Sequence, residues 1–112
     1  MTDLPVIMRT QELYIAVGRV TEKLPALKRQ TLGRRLEDAL LAMLEYEIMA
    51  KNAPKAHKVA YLIKAGALAE LAMFQLRIMM VEKLAHETTL HQLSAGLLEI
   101  SKMMGGWRKS VQ

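Results

Sequence analysis

The side chains with the clearest capacity for chemistry in this sequence are basic, and they form two clusters. The first cluster spans residues 23–35 and the second spans residues 51–58. Lysine and arginine neutralise nucleic-acid phosphates, and each such contact adds affinity by releasing counterions. The two clusters therefore predict a surface for nucleic acid or another acidic partner. Their members are Lys23, Lys28, Arg29, Arg34 and Arg35, and then Lys51, Lys55, His57 and Lys58.

Catalytic and metal-binding arrangements are hard to build from the remaining residues. The absence of cysteine excludes disulfides, thiolate metal sites and cysteine nucleophiles. His86 and His91 are five residues apart across a predicted helix start and do not share a face. Neither the Glu-x-x-His pairs of di-metal bundles nor a phosphate loop, nucleophile elbow or HExxH motif occurs. We therefore expect a protein that is not an enzyme and that needs no metal or cofactor.

One carboxylic acid, Glu47, falls on the predicted inward face of the second helix. It could be a buried acid with a functional role. It could also be a glutamate near a helix end whose carboxylate reaches solvent or a basic partner. We favour the second interpretation.

Four helical segments must position these residues. Apolar residues recur at helical spacing, and no strand-like alternation is present. Breaks at Leu24-Pro25, at residues 52–54 and at residues 86–89 separate the segments. The predicted helices cover about residues 6–23, 27–51, 55–84 and 89–109. We expect a single all-α domain over residues 1–112, folded as an up-down-up-down antiparallel four-helix bundle.

Three of the helices have one predicted inward face each. The inward residues are Ile7, Tyr14, Val17, Thr21 and Leu24 in the first helix, Leu32, Leu36, Leu40, Met43, Leu44 and Ile48 in the second, and Leu90, Leu93, Leu97, Ile100 and Met104 in the fourth.

The third helix carries two apolar stripes. Polar stripes separate them, one with His57, Lys64, Gln75 and Glu82, the other with Glu70 and Arg77. Because a bundle helix needs only one apolar stripe, we expect the second to face a neighbouring subunit. The alternative is a centrally buried helix with incidental charges. The stripes are Leu62, Ala69, Met73, Leu76 and Met80, and Ala67, Leu71, Phe74 and Ile78.

Composition sets broader bounds. With 52% hydrophobic residues the chain is not disordered, and its net charge of +5 permits an acidic partner, although the charge could also serve only solubility. Asp3 and Pro5 interrupt the start, so we expect no secretory signal. The apolar region 59–81 contains three charged residues, so we expect no membrane span and a cytoplasmic protein.

The C-terminal segment places the only tryptophan after a glycine pair, Gly105 and Gly106. Each glycine lowers helix propensity by roughly 1 kcal/mol relative to alanine, which suggests that something comes close there. We expect Trp107 to be structural and to pack on neighbouring helices through the clearance that the glycines provide.

Four stretches of the sequence resemble a known family. They are residues 24–35 (LPALKRQTLGRR), 41–50 (LAMLEYEIMA), 71–77 (LAMFQLR) and 104–110 (MGGWRKS). These stretches are similar to the four-helix-bundle accessory protein Avd of diversity-generating retroelements. The Pro-x-x-x-Arg-x-x-Leu-Gly motif and the Gly-Gly-Trp-x-x-Ser ending are the most specific parts.

The resemblance implies a homopentameric barrel with a basic surface that binds the retroelement's reverse transcriptase and nucleic acid, either template RNA or cDNA. Such proteins support adenine-mutagenic cDNA synthesis and have no catalytic site. By position, Arg29 and Arg35 match basic positions of the family, and Arg77 matches its third-helix arginine. Members often carry another arginine four residues earlier, where this chain has Met73.

Two alternatives remain at the level of sequence. The bundle proteins encoded by intervening sequences in 23S ribosomal RNA genes share the Pro-x-x-x-Arg-x-x-Leu motif, but generally not the Gly-Gly-Trp ending. They would have RNA but no polymerase as a partner. The chain could also be a generic oligomeric adaptor that binds only protein.

Overall fold

The computed structural model describes residues 3–112, which form four helices and contain no strand. The predicted all-α class is confirmed. Helix α2 is continuous through three segments, with a π-helical turn in the middle. The helices are α1 (Asp3–Thr21), α2 (Ala26–Lys28, Arg29–Gly33 and Arg34–Asn52), α3 (Lys55–Val81) and α4 (Glu87–Ser110).

Helix α1 begins and ends earlier than predicted. The backbone N–H of Leu4 donates to the side chain of Asp3 (2.9 Å), which starts the helix before Val6. Pro5 is tolerated because a first-turn N–H has no partner within the helix. At the other end, the N–H groups of Lys23 and Leu24 bond to carbonyls three residues back, so the helix tightens after Thr21 and does not reach Lys23.

Helix α3 ends at Val81, three residues before the predicted end at Leu84. Lys83 has a φ of 55°, in the left-handed region that stops an α-helix. The N–H of Lys83 then bonds to the carbonyl of Met80 (3.1 Å), and the N–H of Leu84 bonds to that of Met79 (3.0 Å). The predicted start of α3 at Lys55 is confirmed, and the other predicted bounds differ from the observed ones by one or two residues.

The π-helical segment of α2 coincides with the Pro-x-x-x-Arg-x-x-Leu-Gly motif. Pro25 is the N-cap residue of α2, without a capping side chain, and Gly33 ends the π segment. A Cβ on Gly33 would lie 3.2 Å from Cδ1 of Leu24 and 3.4 Å from Cβ of Thr21. Glycine therefore lets α2 approach the end of α1 closely. The Thr21 hydroxyl, hydrogen-bonded to Glu37, ties the same two helices together.

The helices pack as a closed circuit in which consecutive helices contact each other and α1 also contacts α4. All five predicted inward residues of α4 are buried, and so are Leu36, Leu40 and Met43 in α2. In α1 and the turn after it, Val17, Thr21 and Leu24 are buried as predicted, but in the N-terminal half of α1 Val6 and Leu13 are buried instead of Ile7 and Tyr14. The buried face of α1 is Val6, Thr10, Leu13, Val17 and Thr21.

Several other predicted positions are corrected. Ile7, Tyr14, Leu32 and Leu44 are only half-buried, because they lie beside the buried faces of their helices. Ile48 is exposed. Gln75, which was assigned to a polar stripe, is buried, and its side-chain oxygen has no hydrogen-bond partner among residues 3–112.

The two apolar stripes of α3 have different environments. Leu62, Ala69 and Leu76 belong to the core. The second stripe is exposed and runs further than predicted. We call it the outer stripe of α3, and it consists of Ile63, Ala67, Leu71, Phe74, Ile78 and Val81. Helix α3 is long and apolar enough to cross a membrane by length and composition alone. The core helix of a soluble protein can meet the same criterion.

Candidate nucleic-acid interface

The first basic cluster lies around the α1–α2 turn and lines two adjacent hollows. Lys28, Arg34 and Arg35 line one of about 670 Å³, which we call the α2–α3 hollow. Arg29 and Arg34 line a second of about 440 Å³, the α1–α2 hollow. Arg34 borders both hollows, so the structure brings these four residues to one surface. Lys23 lies apart, in a third hollow.

Carboxylates partly neutralise both of these hollows. Asp38 and Glu82 line the α2–α3 hollow, and Glu22 and Glu37 line the α1–α2 hollow. The ammonium of Lys28 lies 2.8 Å from Oε1 of Glu82, in an ion pair that links α2 to α3. Such half-exposed pairs contribute at most about 1 kcal/mol, so Lys28 remains able to exchange partners.

Arginine side chains provide the available charge at this surface. Arg29 donates through Nη1 to the carbonyl oxygen of Glu22 (3.3 Å), which fixes its direction without neutralising its charge. Arg34 and Arg35 are exposed, and neither forms an ion pair within the described range 3–112. Guanidinium groups in this state can bind phosphate in a bidentate manner.

One residue of the second basic cluster, Lys58, has a structural role. Nζ of Lys58 donates to the carbonyl oxygens of Ala50 (2.8 Å) and Lys51 (3.0 Å). These are orphan carbonyls at the end of α2, where a cation is favourable. Lys58 therefore caps α2, whereas Lys51 and Lys55 are exposed at the α2–α3 turn.

Arg77 lies on the exposed side of α3, with its guanidinium 5.2 Å from the centre of the Phe74 ring. It lines neither of the two hollows of the first cluster. The structure therefore does not bring Arg77 together with Arg29 and Arg35, and its charge sits instead beside the outer stripe of α3.

The third hollow contains basic residues that the sequence did not single out. Arg19, Lys83 and His86 join Lys23 around a cavity of about 560 Å³, the α1–α4 hollow. Its only sequence signal was the spacing of four residues between Arg19 and Lys23, which would share a face of the predicted first helix, residues 6–23. Val20, Leu84, Ala85 and Thr89 complete the lining.

The favoured interpretation of Glu47 is wrong, because its side chain is fully buried. Thr10 of α1 contacts Oε2, and Oε1 has no hydrogen-bond partner among residues 3–112. Burial raises the pKa of Glu47 to about 8, and the hydrogen bond with Thr10 opposes that rise only in part. Glu47 is therefore a buried acid that packs α2 against α1.

Trp107 is buried, as expected for a structural residue, but the predicted clearance is wrong. A Cβ on Gly105 or Gly106 would meet nothing within 4 Å. Both glycines therefore lie beside open space and make no room for the indole. Nothing within residues 3–112 explains why α4 contains them.

No group of three or more His, Cys, Asp or Glu side chains that could hold a metal ion occurs within residues 3–112. Comparisons of the chain with protein-family models, with curated proteins and with solved structures found no match. The functional assignment therefore depends on the residues themselves.

Proposed function

We propose that this chain is a non-catalytic accessory protein of a diversity-generating retroelement, which binds the reverse transcriptase and nucleic acid. The observation that carries the proposal is the common exposed surface of Arg29, Arg34 and Arg35. This surface surrounds the segment with one of the two motifs most specific to that family. The polymerase partner is inferred from the resemblance. The exposed positions of the three arginines support contact with phosphates.

Template RNA or an RNA–cDNA hybrid presents phosphates at regular spacing along its backbone. Arg34 borders both hollows of the first cluster, and Arg29 and Arg35 lie on its two sides. A strand that crosses the α1–α2 turn would meet all three guanidinium groups. The carboxylates in the hollows limit the affinity for bare nucleic acid, and repetition around an oligomer would raise it.

The apolar surface supports assembly with further copies of the chain. The outer stripe of α3 lies on one side of the bundle. Leu4, Met8 and Ile15 form a second exposed apolar row on α1. Helices α1 and α3 both pack on α2 and α4, which places them on opposite sides of the bundle. Two different apolar faces on opposite sides suit a head-to-tail ring, which we propose to be a homopentamer of up-down-up-down bundles.

Charge reversal tests the nucleic-acid surface directly. Reversal of Arg29, Arg34 and Arg35 to glutamate should weaken RNA binding, measured by fluorescence anisotropy, by at least about tenfold, since three phosphate contacts are lost. Reversal of Lys102, Arg108 and Lys109 on α4 changes the net charge equally and serves as the control. If both variants bind RNA like the wild type, the proposed surface is wrong.

The DNA that flanks the gene tests the polymerase partner. A neighbouring reverse-transcriptase reading frame, with two near-identical repeats that differ mainly at adenines, would support the retroelement role. Co-expression of that polymerase should then yield a complex that the arginine reversals weaken. A location within a ribosomal RNA gene would instead favour the intervening-sequence group. With neither neighbour and no RNA binding, a protein-only adaptor would remain.

A further inference from the structure

The α1–α4 hollow has an electrostatic character that the other basic hollows lack. Arg19, Lys23, Lys83 and His86 line it, and no carboxylate does. The two hollows of the first cluster each contain two carboxylates. None of these four basic residues forms an ion pair in the part of the chain that the structure describes, residues 3–112. Arg19 also lines the α1–α2 hollow, which contains Glu22 and Glu37, whereas Lys23 and Lys83 do not. The positive charge of these two lysines is therefore not neutralised within the α1–α4 hollow.

Lys83 has a backbone conformation that glycine usually adopts. Its φ of 55° costs about 1–2 kcal/mol for a residue with a Cβ, and glycine is the usual residue at this place after a helix. A lysine there lowers the stability of the turn while it adds an ammonium group to the wall of the hollow. Strained backbone at the edge of a cavity is typical of functional sites.

His86 is also a residue that does not favour the stability of its local structure. It is the N-cap of α4, and its side chain makes no capping hydrogen bond. Serine, threonine, aspartate or asparagine would stabilise the helix start better. Without a capping side chain, N–H groups of the first turn of α4 remain available to an anion. Glu87 in that turn lies beside His91 (3.5 Å) and does not line the hollow.

We propose that the α1–α4 hollow binds a nucleoside 5′-monophosphate, either free or at the 5′ end of a nucleic-acid strand. A phosphomonoester carries about two negative charges at neutral pH, which the three basic side chains Arg19, Lys23 and Lys83 can balance. The volume of about 560 Å³ lies within the range of small-molecule sites, about 300–1,000 Å³. Val20, Leu84 and Ala85 offer an apolar wall for the base.

This proposal goes beyond the role of the first cluster, because capture of one terminal phosphate needs no contact with a nucleic-acid backbone. Both could hold, or either could fail alone. None of the residues replaced in the arginine-reversed variant lines the α1–α4 hollow, so that variant should still bind a monophosphate more tightly than its nucleoside.

Isothermal titration with the four ribonucleoside 5′-monophosphates, and with the four nucleosides as controls, tests the site. At least one monophosphate should bind at least about tenfold more tightly than its nucleoside, because charge-assisted hydrogen bonds are lost without the phosphate. A tetranucleotide with a 5′-phosphate and the same tetranucleotide with a 5′-hydroxyl distinguish a strand end from a free nucleotide. If no monophosphate binds, or if nucleosides bind equally well, the proposal is wrong.

The Lys83→Gly variant separates binding from folding. It should unfold at a higher temperature than the wild type, because glycine relieves the left-handed strain, yet bind the monophosphate about tenfold more weakly. Lys23→Gln should weaken binding with little effect on unfolding. Lys102→Gln, on the exposed face of α4, should change neither. Wild-type affinity in both Lys83→Gly and Lys23→Gln would overturn the assignment.

Discussion

The hydroxyl oxygen of Thr10 lies 2.8 Å from Oε2 of Glu47 and 3.0 Å from the carbonyl oxygen of Val6. A hydroxyl group has one proton and cannot donate to both acceptors. Both contacts become hydrogen bonds if Glu47 is protonated, since Oε2 then donates to Thr10 and Thr10 donates to Val6. The geometry therefore agrees with the raised pKa of Glu47, about 8.

The stability of the fold should consequently fall as the pH rises. The pKa of Glu47 is near 4.5 when unfolded and about 8 when folded, so its stabilising effect is complete below pH 4.5 and disappears between pH 4.5 and 8. The loss amounts to a few kcal/mol in order of magnitude. Urea unfolding between pH 5 and 9 should show this slope in the wild type.

Glu47→Gln identifies the residue responsible, because an amide keeps the shape of the acid but does not titrate. The variant should lose most of the pH dependence in that range. Glu45→Gln, at an exposed position of the same helix, should retain it. An unchanged slope in Glu47→Gln would contradict the assignment.

Trp107→Ala should destabilise the fold by roughly 3–5 kcal/mol, as expected for removal of a buried aromatic side chain. Trp107 is 3% exposed, whereas Leu98 on the same helix is 48% exposed. Leu98→Ala is the matched control and should cost less than about 1 kcal/mol. Circular dichroism during urea unfolding measures both, since the variant lacks the fluorophore. A small loss in Trp107→Ala would mean that the indole is not part of the core.

The inward face of α4 was predictable because an uninterrupted apolar row, Leu90 to Met104, defines it. The N-terminal half of the α1 face was not, because its buried centre is Thr10, whose hydroxyl is satisfied by Val6 and Glu47. A polar residue at an inward position gives no hydrophobic signal. Glu47 was placed on the inward face but expected to reach solvent, because the burial that raises its pKa depends on packing against other helices.

Some basic residues of the candidate site could also be predicted from the sequence, and others could not. Arg29, Arg34 and Arg35 are close in sequence, so a count of basic residues finds them. The α1–α4 hollow brings together Lys23 and Lys83, which are far apart in the sequence. Periodicity within one helix cannot reveal such a meeting of helix ends. The left-handed φ of Lys83 also had no signal, because glycine usually marks that conformation.

Gly106→Ala should raise the free energy of unfolding by about 1 kcal/mol, because alanine favours the helix and its Cβ would meet open space. Gly33→Ala should raise the free energy of unfolding by less, or lower it, since its Cβ would lie only 3.2 Å from Cδ1 of Leu24. Thermal unfolding of dilute protein compares the two substitutions. If Gly106→Ala destabilises the protein only at concentrations where it assembles, a neighbouring subunit approaches this glycine.

Phe74→Glu should dissociate the proposed ring. Phe74 lies in the middle of the outer stripe of α3 and is 51% exposed in the single chain. A carboxylate there would be buried at a subunit contact without a paired charge, which is strongly unfavourable. Light scattering after gel filtration should give a wild-type mass of about 63 kDa, five times the 12.6 kDa of one chain, and a monomer for the variant. Leu98→Glu, at a similarly exposed position on α4, should leave the mass unchanged. A monomeric wild type, or an assembled Phe74→Glu variant, would show that the outer stripe does not join subunits.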